Sequence, residues 1–154
     1  MKDTSTLTGN GIRTGAQYIS GLQDDREIWT MGKRIKDVTV EPGMSRGVSS
    51  LAGFLDKQHD KKYQDKVTYV DEDGIRCPLS FKTPKSKQDI LDRGKAYYEW
   101  ATWSHGMFGR TPDYKNASLM SFSAARSFLD KGTVGSADFS TNMLNFYNYA
   151  RTND

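Results

Sequence analysis

The chain has 154 residues, a formal net charge of +3 and 27% charged residues, a composition that suits one globular domain with its own core. Lysines and aspartates are interspersed, so this mild positive charge does not favour a nucleic-acid-binding protein. No apolar stretch approaches the about 20 residues of a membrane-spanning helix, and no signal-peptide pattern is present, so we expect a cytoplasmic protein without membrane contact. The single cysteine, Cys77, excludes an internal disulfide bond.

The first half of the chain predicts short helices and two hairpins. Residues 1–12 are rich in Thr, Ser, Gly and Asn and are typical of a disordered arm, so the domain proper is residues 13–154. The hydrophobic spacing and the turn residues predict the following elements in chain order: a helix capped by Thr14 and running to about Gln23, a hairpin of Glu27–Met31 with Arg34–Thr39, a helix from Ser45 to about His59, and a hairpin of Lys66–Val70 with Ile75–Leu79.

The second half predicts three longer helices. Ser86 and Asp89 form a capping-box pattern at the start of a helix that runs to about Phe108. One face of that helix is expected to carry Ile90, Tyr97, Ala101, Ser104 and Phe108, with Leu91 and Tyr98 beside it. A helix over Asn116–Leu129 is apolar or small on almost every side, which indicates burial on several sides. A loop over Gly132–Gly135 then leads to a last helix capped by Ser136.

These elements predict a mainly α fold with one or two small β-hairpins. The aromatic stripe on the long helix, formed by Trp100, Trp103, Tyr97 and Tyr98, is best explained as core packing. His105, near a helix end, is interpreted as a packing or capping residue, and no catalytic role is assigned to it or to His59. No sequence pattern indicates a metal site: the Asp71–Gly74 turn lacks the other ligands of a calcium loop.

A polar corner between two helices is the candidate site. Arg110 and Tyr114 lie four residues apart on either side of Pro112, which ends the preceding helix and stiffens the connection. A guanidinium and a phenol held together among apolar neighbours suit a phenolic or carboxylate ligand. The alternative is that Arg110 pairs with Asp113 or caps a helix end.

Four segments carry a family resemblance. Gly109-Arg110-Thr111-Pro112-Asp113-Tyr114 resembles the Gly-Arg-Ser/Thr-Pro-Asp-Tyr segment of the 4-hydroxyphenylacetate 3-monooxygenase (large component) family. The other segments agree with that family in order and spacing: Arg13–Ile19, Arg26–Trp29 and Gly32–Val38. The resemblance extends over nearly the whole chain, from about Arg13 to Asp154.

The resemblance implies a two-component aromatic hydroxylase. Such enzymes use reduced FAD and molecular oxygen, and a separate NAD(P)H:flavin oxidoreductase supplies the reduced flavin. The implied fold is the N-terminal helical domain of an acyl-CoA dehydrogenase-like flavoprotein, with a β-barrel and a four-helix bundle following. Family members form homodimers or homotetramers and are several times longer, so we expect this chain to be the N-terminal piece of such an oxygenase.

The resemblance also assigns roles. Arg110 and Tyr114 match the family's Arg and Tyr that contact the hydroxyl of the phenolic substrate, and both are expected to be catalytic and substrate-binding residues. A guanidinium favours the phenolate, which directs electron density to the ortho carbon. Arg110 is also a candidate contact to the flavin. The family's catalytic histidine is expected beyond Asp154, so this piece alone should be inactive.

Two other functions compete with this assignment. The superfamily includes 4-hydroxybutyryl-CoA dehydratase, which uses flavin and an iron–sulfur cluster. That enzyme draws cysteine ligands from the long helix in this region, but here Glu99–Gly109 contains no cysteine and Cys77 is the only thiol of the sequence. The second alternative is a non-catalytic helical module that serves only in interactions.

Overall fold

The computed structural model describes residues 11–107, 111–131 and 138–153, without the side chains of Pro112 and Lys131. The described part of the chain contains these helices and strands: α1 Gly15–Ser20, β1 Ile28–Thr30, β2 Lys33–Ile35, α2 Ser45–Lys57, α3 Gln64–Val67, β3 Thr68–Val70, β4 Arg76–Pro78, α4 Lys87–Trp103, α5 Pro112–Ala124 and α6 Phe139–Asn153. Two 3₁₀ helices, Leu79–Phe81 and Arg126–Lys131, complete the described elements. The predicted fold class is therefore confirmed.

The N-terminal segment is fastened to α2. Thr14 caps α1, as predicted, and also forms a capping box with Gln17. The backbone N–H of Gly15 donates to Asp56 Oδ1 at 2.7 Å, and His59 Nε2 lies 3.1 Å from the carbonyl oxygen of Arg13, to which it must donate. Because Gly15 has no side chain, α1 can approach the backbone of α2 closely.

The predicted disordered arm does not extend as far as residue 12. Ile12 is 8% exposed, and its N–H donates to the carbonyl oxygen of Arg76 at 3.0 Å. The N–H of Gly11 donates to the carbonyl oxygen of Thr152 at 2.9 Å. Residues 1–10, which carry the rest of that prediction, lie outside the described residues.

Both predicted hairpins form, although each strand is shorter than predicted. Strand β1 pairs antiparallel with β2, with Ile28 opposite Ile35, and β3 pairs antiparallel with β4, with Thr68 opposite Pro78. The stretch before β3 is helical rather than extended. The Thr68 hydroxyl donates to the carbonyl oxygen of Gln64 at 2.6 Å, which closes a helical turn just before the strand begins.

The core lies where α3, the first 3₁₀ helix and α4 meet. Val67, Leu79 and Ala96 are buried together, with Tyr69 and Trp103 packed against them. Trp100 is 1% exposed and makes an edge contact with Trp103 at 5.2 Å between ring centroids. Core packing of these two tryptophans is therefore confirmed.

The buried face of α4 differs from the predicted one. Ile90, Leu91 and Tyr98 are 62%, 49% and 74% exposed, so that part of the prediction is wrong. Ala96 and Trp100 face the core instead, because the large ring of Trp100 packs against Phe54 and Trp103 on that side. The predicted capping box of Ser86 and Asp89 is confirmed.

The connection from α4 to α5 begins earlier than predicted. Helix α4 ends at Trp103, and His105 and Gly106 adopt positive φ angles of 52° and 83°, a backbone conformation that terminates a helix. Helix α5 begins at Pro112, at a helix position that proline favours, so Tyr114 lies in its first turn. Among the described residues, no helix is long and apolar enough to cross a membrane.

Candidate ligand site

Tyr114 opens onto a groove between α5 and α6. Tyr114 is 46% exposed and lies in the first turn of α5, where Thr111 is the N-cap and Asp113 is buried. The groove encloses about 790 Å³. Its described lining combines aromatic rings with polar, charged and small side chains: Arg13, Phe81, Tyr114, Lys115, Asn116, Ser118, Leu119, Phe122, Phe146, Tyr149, Ala150 and Asn153.

The chemistry of the groove suits a ring that carries a polar substituent. Phe122, Phe146 and Tyr149 present exposed aromatic surface, at 64%, 59% and 50%. Lys115 Nζ lies 5.5 Å from the ring centroid of Tyr114, within cation–π range. The Tyr114 hydroxyl can donate and accept hydrogen bonds, so this wall offers both apolar contact and a polar partner.

Of the two predicted site residues, the structure places one. Tyr114 is accessible in the groove, whereas Arg110 lies outside the described residues. Thr111, directly after Arg110, is 4% exposed. The roles assigned to Arg110 and Tyr114 stay predictions, and so does the alternative pairing of Arg110 with Asp113. The loop Gly132–Gly135 and the cap Ser136 also lie outside the described residues.

A buried ion pair on the opposite side of α6 was not foreseen. Arg151 donates from Nη1 to Asp71 Oδ2, and the two side chains are 14% and 6% exposed. The other oxygen, Asp71 Oδ1, accepts the N–H groups of Asp73 at 3.0 Å and Ile75 at 2.8 Å. The pair lines a cleft of about 540 Å³ between the β3–β4 turn, the segment before α4, and α6.

Two tyrosines surround this pair. The hydroxyl of Tyr147 donates to the carbonyl oxygen of Phe81 at 2.7 Å. Burial raises the pKa of Tyr69 and of Tyr147 above the ordinary value, so both are neutral phenols at physiological pH. Burial works against the charge of Arg151, but its hydrogen bonds with Asp71 and Tyr69 raise its pKa overall, so the guanidinium stays charged.

The described residues hold no group of three or more His, Cys, Asp or Glu side chains that could bind a metal ion. Cys77 is fully buried, and its thiol lies 3.7 Å from the carbonyl oxygen of Ile75. The groove beside Tyr114 is the candidate site among the described residues, because its exposed rings suit an aromatic ligand.

The sequence matches the family model described as "4-hydroxyphenylacetate 3-hydroxylase N terminal" over residues 14–154. The chain belongs to this family. The match begins at Thr14, the residue that caps α1, and includes the whole groove apart from Arg13.

Relatives in this family are much longer. The 4-hydroxyphenylacetate 3-monooxygenase oxygenase component of Thermus thermophilus is 38% identical over 143 residues, which are 92% of this chain and 28% of that protein. The pyoverdin chromophore biosynthetic protein PvcC of Pseudomonas aeruginosa is 34% identical over 77% of this chain and 24% of its own length. The chain thus spans about a quarter of the relatives that it matches.

Solved structures agree in fold. A crystal structure of the oxygenase component of 4-hydroxyphenylacetate 3-monooxygenase, complexed with FAD and 4-hydroxyphenylacetate, superposes with a TM-score of 0.81 at 38% identity, over 90% of this chain and 28% of that one. A 4-hydroxybutyryl-CoA dehydratase from N. maritimus superposes with a TM-score of 0.72 at 16% identity, over 91% of this chain and 27% of its own, which shows a shared fold alone. The predicted acyl-CoA dehydrogenase-like helical domain is confirmed.

Proposed function

We propose that this chain is the N-terminal, substrate-site-contributing domain of a two-component, reduced-FAD-dependent hydroxylase that acts ortho to the hydroxyl of a phenol. The observation that carries the proposal is the match to an oxygenase component whose crystal structure contains both FAD and 4-hydroxyphenylacetate. The groove beside Tyr114 supports it, since the groove offers both aromatic rings and polar side chains to a phenolic ring.

Arg110 and Tyr114 bind the substrate hydroxyl in this proposal. A phenol has a pKa near ~10, so it is mostly neutral at pH 7 unless a neighbouring charge favours its ionised form. The Arg110 guanidinium would provide that charge, because it stays protonated and donates through a planar fork. The Tyr114 hydroxyl would hold the same oxygen or its neighbour and so orient the ring.

The residues of this chain fit the ring of a substrate better than a whole dinucleotide. The groove is walled by single aromatic rings, and the sequence has no Gly-x-Gly-x-x-Gly or P-loop pattern to cradle phosphates. Reduced FAD, when bound, supplies the electrons that activate molecular oxygen. Arg110 is the residue of this chain that we propose contacts the flavin, while the groove residues orient the phenol and exclude water.

The net reaction balances with a second component. One oxygen atom of O₂ is inserted between the ortho carbon and its hydrogen to give the new hydroxyl. The other leaves as water, whose two hydrogens come from the NAD(P)H hydride and one proton, and the two electrons pass from NAD(P)H through the flavin. A separate NAD(P)H:flavin oxidoreductase is therefore the proposed partner. A homodimeric or homotetrameric assembly and a cytoplasmic location belong to the same proposal.

The decisive experiment is an assay of the whole protein with 4-hydroxyphenylacetate, FAD, NADH and a generic flavin reductase. Formation of the catechol product is expected. If no catechol forms although reduced FAD binds, the family stays and the substrate is a different phenol. If no flavin binds, a non-catalytic interaction module becomes the better explanation.

The dehydratase alternative finds less support. Its resemblance to this chain rests on the fold alone, at 16% identity. An iron–sulfur cluster needs several thiolate ligands, and this sequence offers only Cys77, which is fully buried in β4. A whole protein that lacks iron by metal analysis but still hydroxylates a phenol would remove this alternative.

A further inference from the structure

Helix α6 lines two different clefts with two different faces. Phe146, Tyr149, Ala150 and Asn153 follow helical spacing and form one wall of the Tyr114 groove. Tyr147, Asn148 and Arg151 lie on the other side and line the cleft that contains the buried ion pair. Any movement of α6 that disturbs the ion pair therefore also moves a wall of the groove.

The carboxylate of Asp71 is oriented by its own turn to accept a hydrogen bond from α6. Its Oδ1 already accepts two backbone N–H groups of its own turn, from Asp73 and Ile75, so the carboxylate has a fixed orientation. The remaining oxygen, Oδ2, meets Arg151. Because Asp71 is held by its own turn and is only 6% exposed, each of the two buried charges has the other as its charged partner.

Two further bonds hold the same end of α6. The Tyr147 hydroxyl donates to the carbonyl oxygen of Phe81, which itself lines the Tyr114 groove. The N–H of Gly11 donates to the carbonyl oxygen of Thr152, one residue after Arg151. These contacts hold the helix against neighbouring backbone, but the ion pair is the charged and buried contact among them.

We propose that Arg151 is a positioning residue for the Tyr114 groove: its buried pairing with Asp71 sets the position of α6 and thereby the distance between the α6 wall and Tyr114. Arg151 lines the opposite cleft and acts through the helix that it holds. The inference rests on the proposed function for its ligand, a phenol, but the geometry of the groove can be tested without that ligand.

The test compares Arg151→Lys with wild type in the whole protein. Lysine keeps the charge but loses the planar fork, so the helix should sit less firmly. Amide hydrogen exchange should speed up in α6 and also in α5 around Tyr114, which a local structural role would leave unchanged. The dissociation constant for 4-hydroxyphenylacetate should rise about fivefold. In the double variant with Tyr114→Phe, the loss of binding free energy should be smaller than the sum of the two single losses.

Controls separate this role from general stability and from the proposed function. Lys95→Met, which removes an exposed ion pair with Asp92 (side chains 70% and 43% exposed), should change neither exchange in α5 nor phenol binding. Faster exchange confined to α6, or additive effects on phenol binding, would overturn the proposal. If wild type binds no phenol, the proposed function fails, and exchange in α5 still decides the role of Arg151. Should Arg151→Lys not fold, Asp71→Asn, which keeps the acceptor for the turn, replaces it.

Discussion

At the scale of single residues, the proposed roles of Arg110 and Tyr114 can be tested separately, because each substitution should impair one property and leave another unchanged. In the whole protein, Arg110→Ala should lower hydroxylation about 100-fold, the effect typical of losing one preorganised donor, while flavin binding is mostly kept. Product formation and flavin titration measure the two effects. Equal loss of both would leave Arg110 as a flavin contact and remove its proposed role on the substrate.

Tyr114→Phe tests the hydroxyl in the groove. Loss of one hydrogen bond of about 1 kcal/mol should weaken phenol binding about fivefold. The melting temperature should change little, because the side chain is 46% exposed. Equilibrium dialysis and thermal denaturation give the two readouts, and a collapsed melting temperature with unchanged affinity would make Tyr114 a structural residue.

Gly15 permits a close approach that alanine would prevent. A Cβ at this position would lie 2.6 Å from the carbonyl oxygen of Ala52 and 2.7 Å from Asp56 Oδ2, both closer than van der Waals contact allows. Gly15→Ala should therefore destabilise the fold by about 1–3 kcal/mol in chemical denaturation.

The matched control for that substitution lies in α2 itself. A Cβ at Gly53 would meet nothing within 4 Å, so Gly53→Ala should stabilise the protein by up to about 1 kcal/mol. If both substitutions changed the free energy of unfolding with the same sign, helix propensity, rather than the contact between α1 and α2, would govern both effects.

At the scale of elements, the start of α4 depends on an ionised Asp89. Asp89 Oδ1 accepts from Lys82 Nζ at 2.6 Å, and Oδ2 accepts the N–H groups of Lys85 and Ser86, each at 2.9 Å. The hydrogen bond with Lys82, followed by those with Lys85 and Ser86, lowers the pKa of Asp89 far below its usual value. The carboxylate also favours the positive end of the helix dipole.

This lowered pKa predicts a direction for acid sensitivity. The stabilising contribution of Asp89 is complete above the ordinary carboxyl pKa of 3.8 and is lost as the pH falls below it towards the folded-state pKa. Asp89→Asn should therefore be less stable than wild type at pH 6, and its denaturation midpoint should fall less between pH 5 and pH 2. Parallel pH profiles of wild type and Asp89→Asn would contradict this expectation.

Local signals could be read from the sequence, whereas spatial pairings could not. The helix cap at Thr14 and the capping box of Ser86 and Asp89 follow from the sequence because capping partners lie only three positions apart. The predicted buried face of α4 is wrong because periodicity locates apolar residues along a helix but does not show which of them another element will cover. Trp100 is covered, whereas Ile90 is exposed. Arg151 and Asp71 are 80 residues apart, and nothing local announces their contact.

At the scale of the whole molecule, the α5–α6 side exposes more aromatic surface than the sequence pattern predicts. The segment Asn116–Leu129 was expected to be buried on several sides, yet Phe122 and Phe128 are 64% and 80% exposed. Phe146, on α6, lines the same groove as Phe122 and is 59% exposed. An apolar pattern predicts that a surface is buried, but it does not show whether the same chain, another domain or another subunit buries it.

That surface should make the 154-residue chain self-associate. Large exposed apolar patches are rare on soluble monomers and favour association, so sedimentation coefficients should rise with concentration. Phe122→Ser with Phe146→Ser should reduce this rise, and each should change the free energy of unfolding by no more than about 0.5 kcal/mol, as is usual for surface positions. Ile90→Ser, at 62% exposure on α4, should leave the association unchanged because Ile90 lies outside the groove. A wild-type chain that sediments as a monomer at every concentration would show that these rings do not drive association.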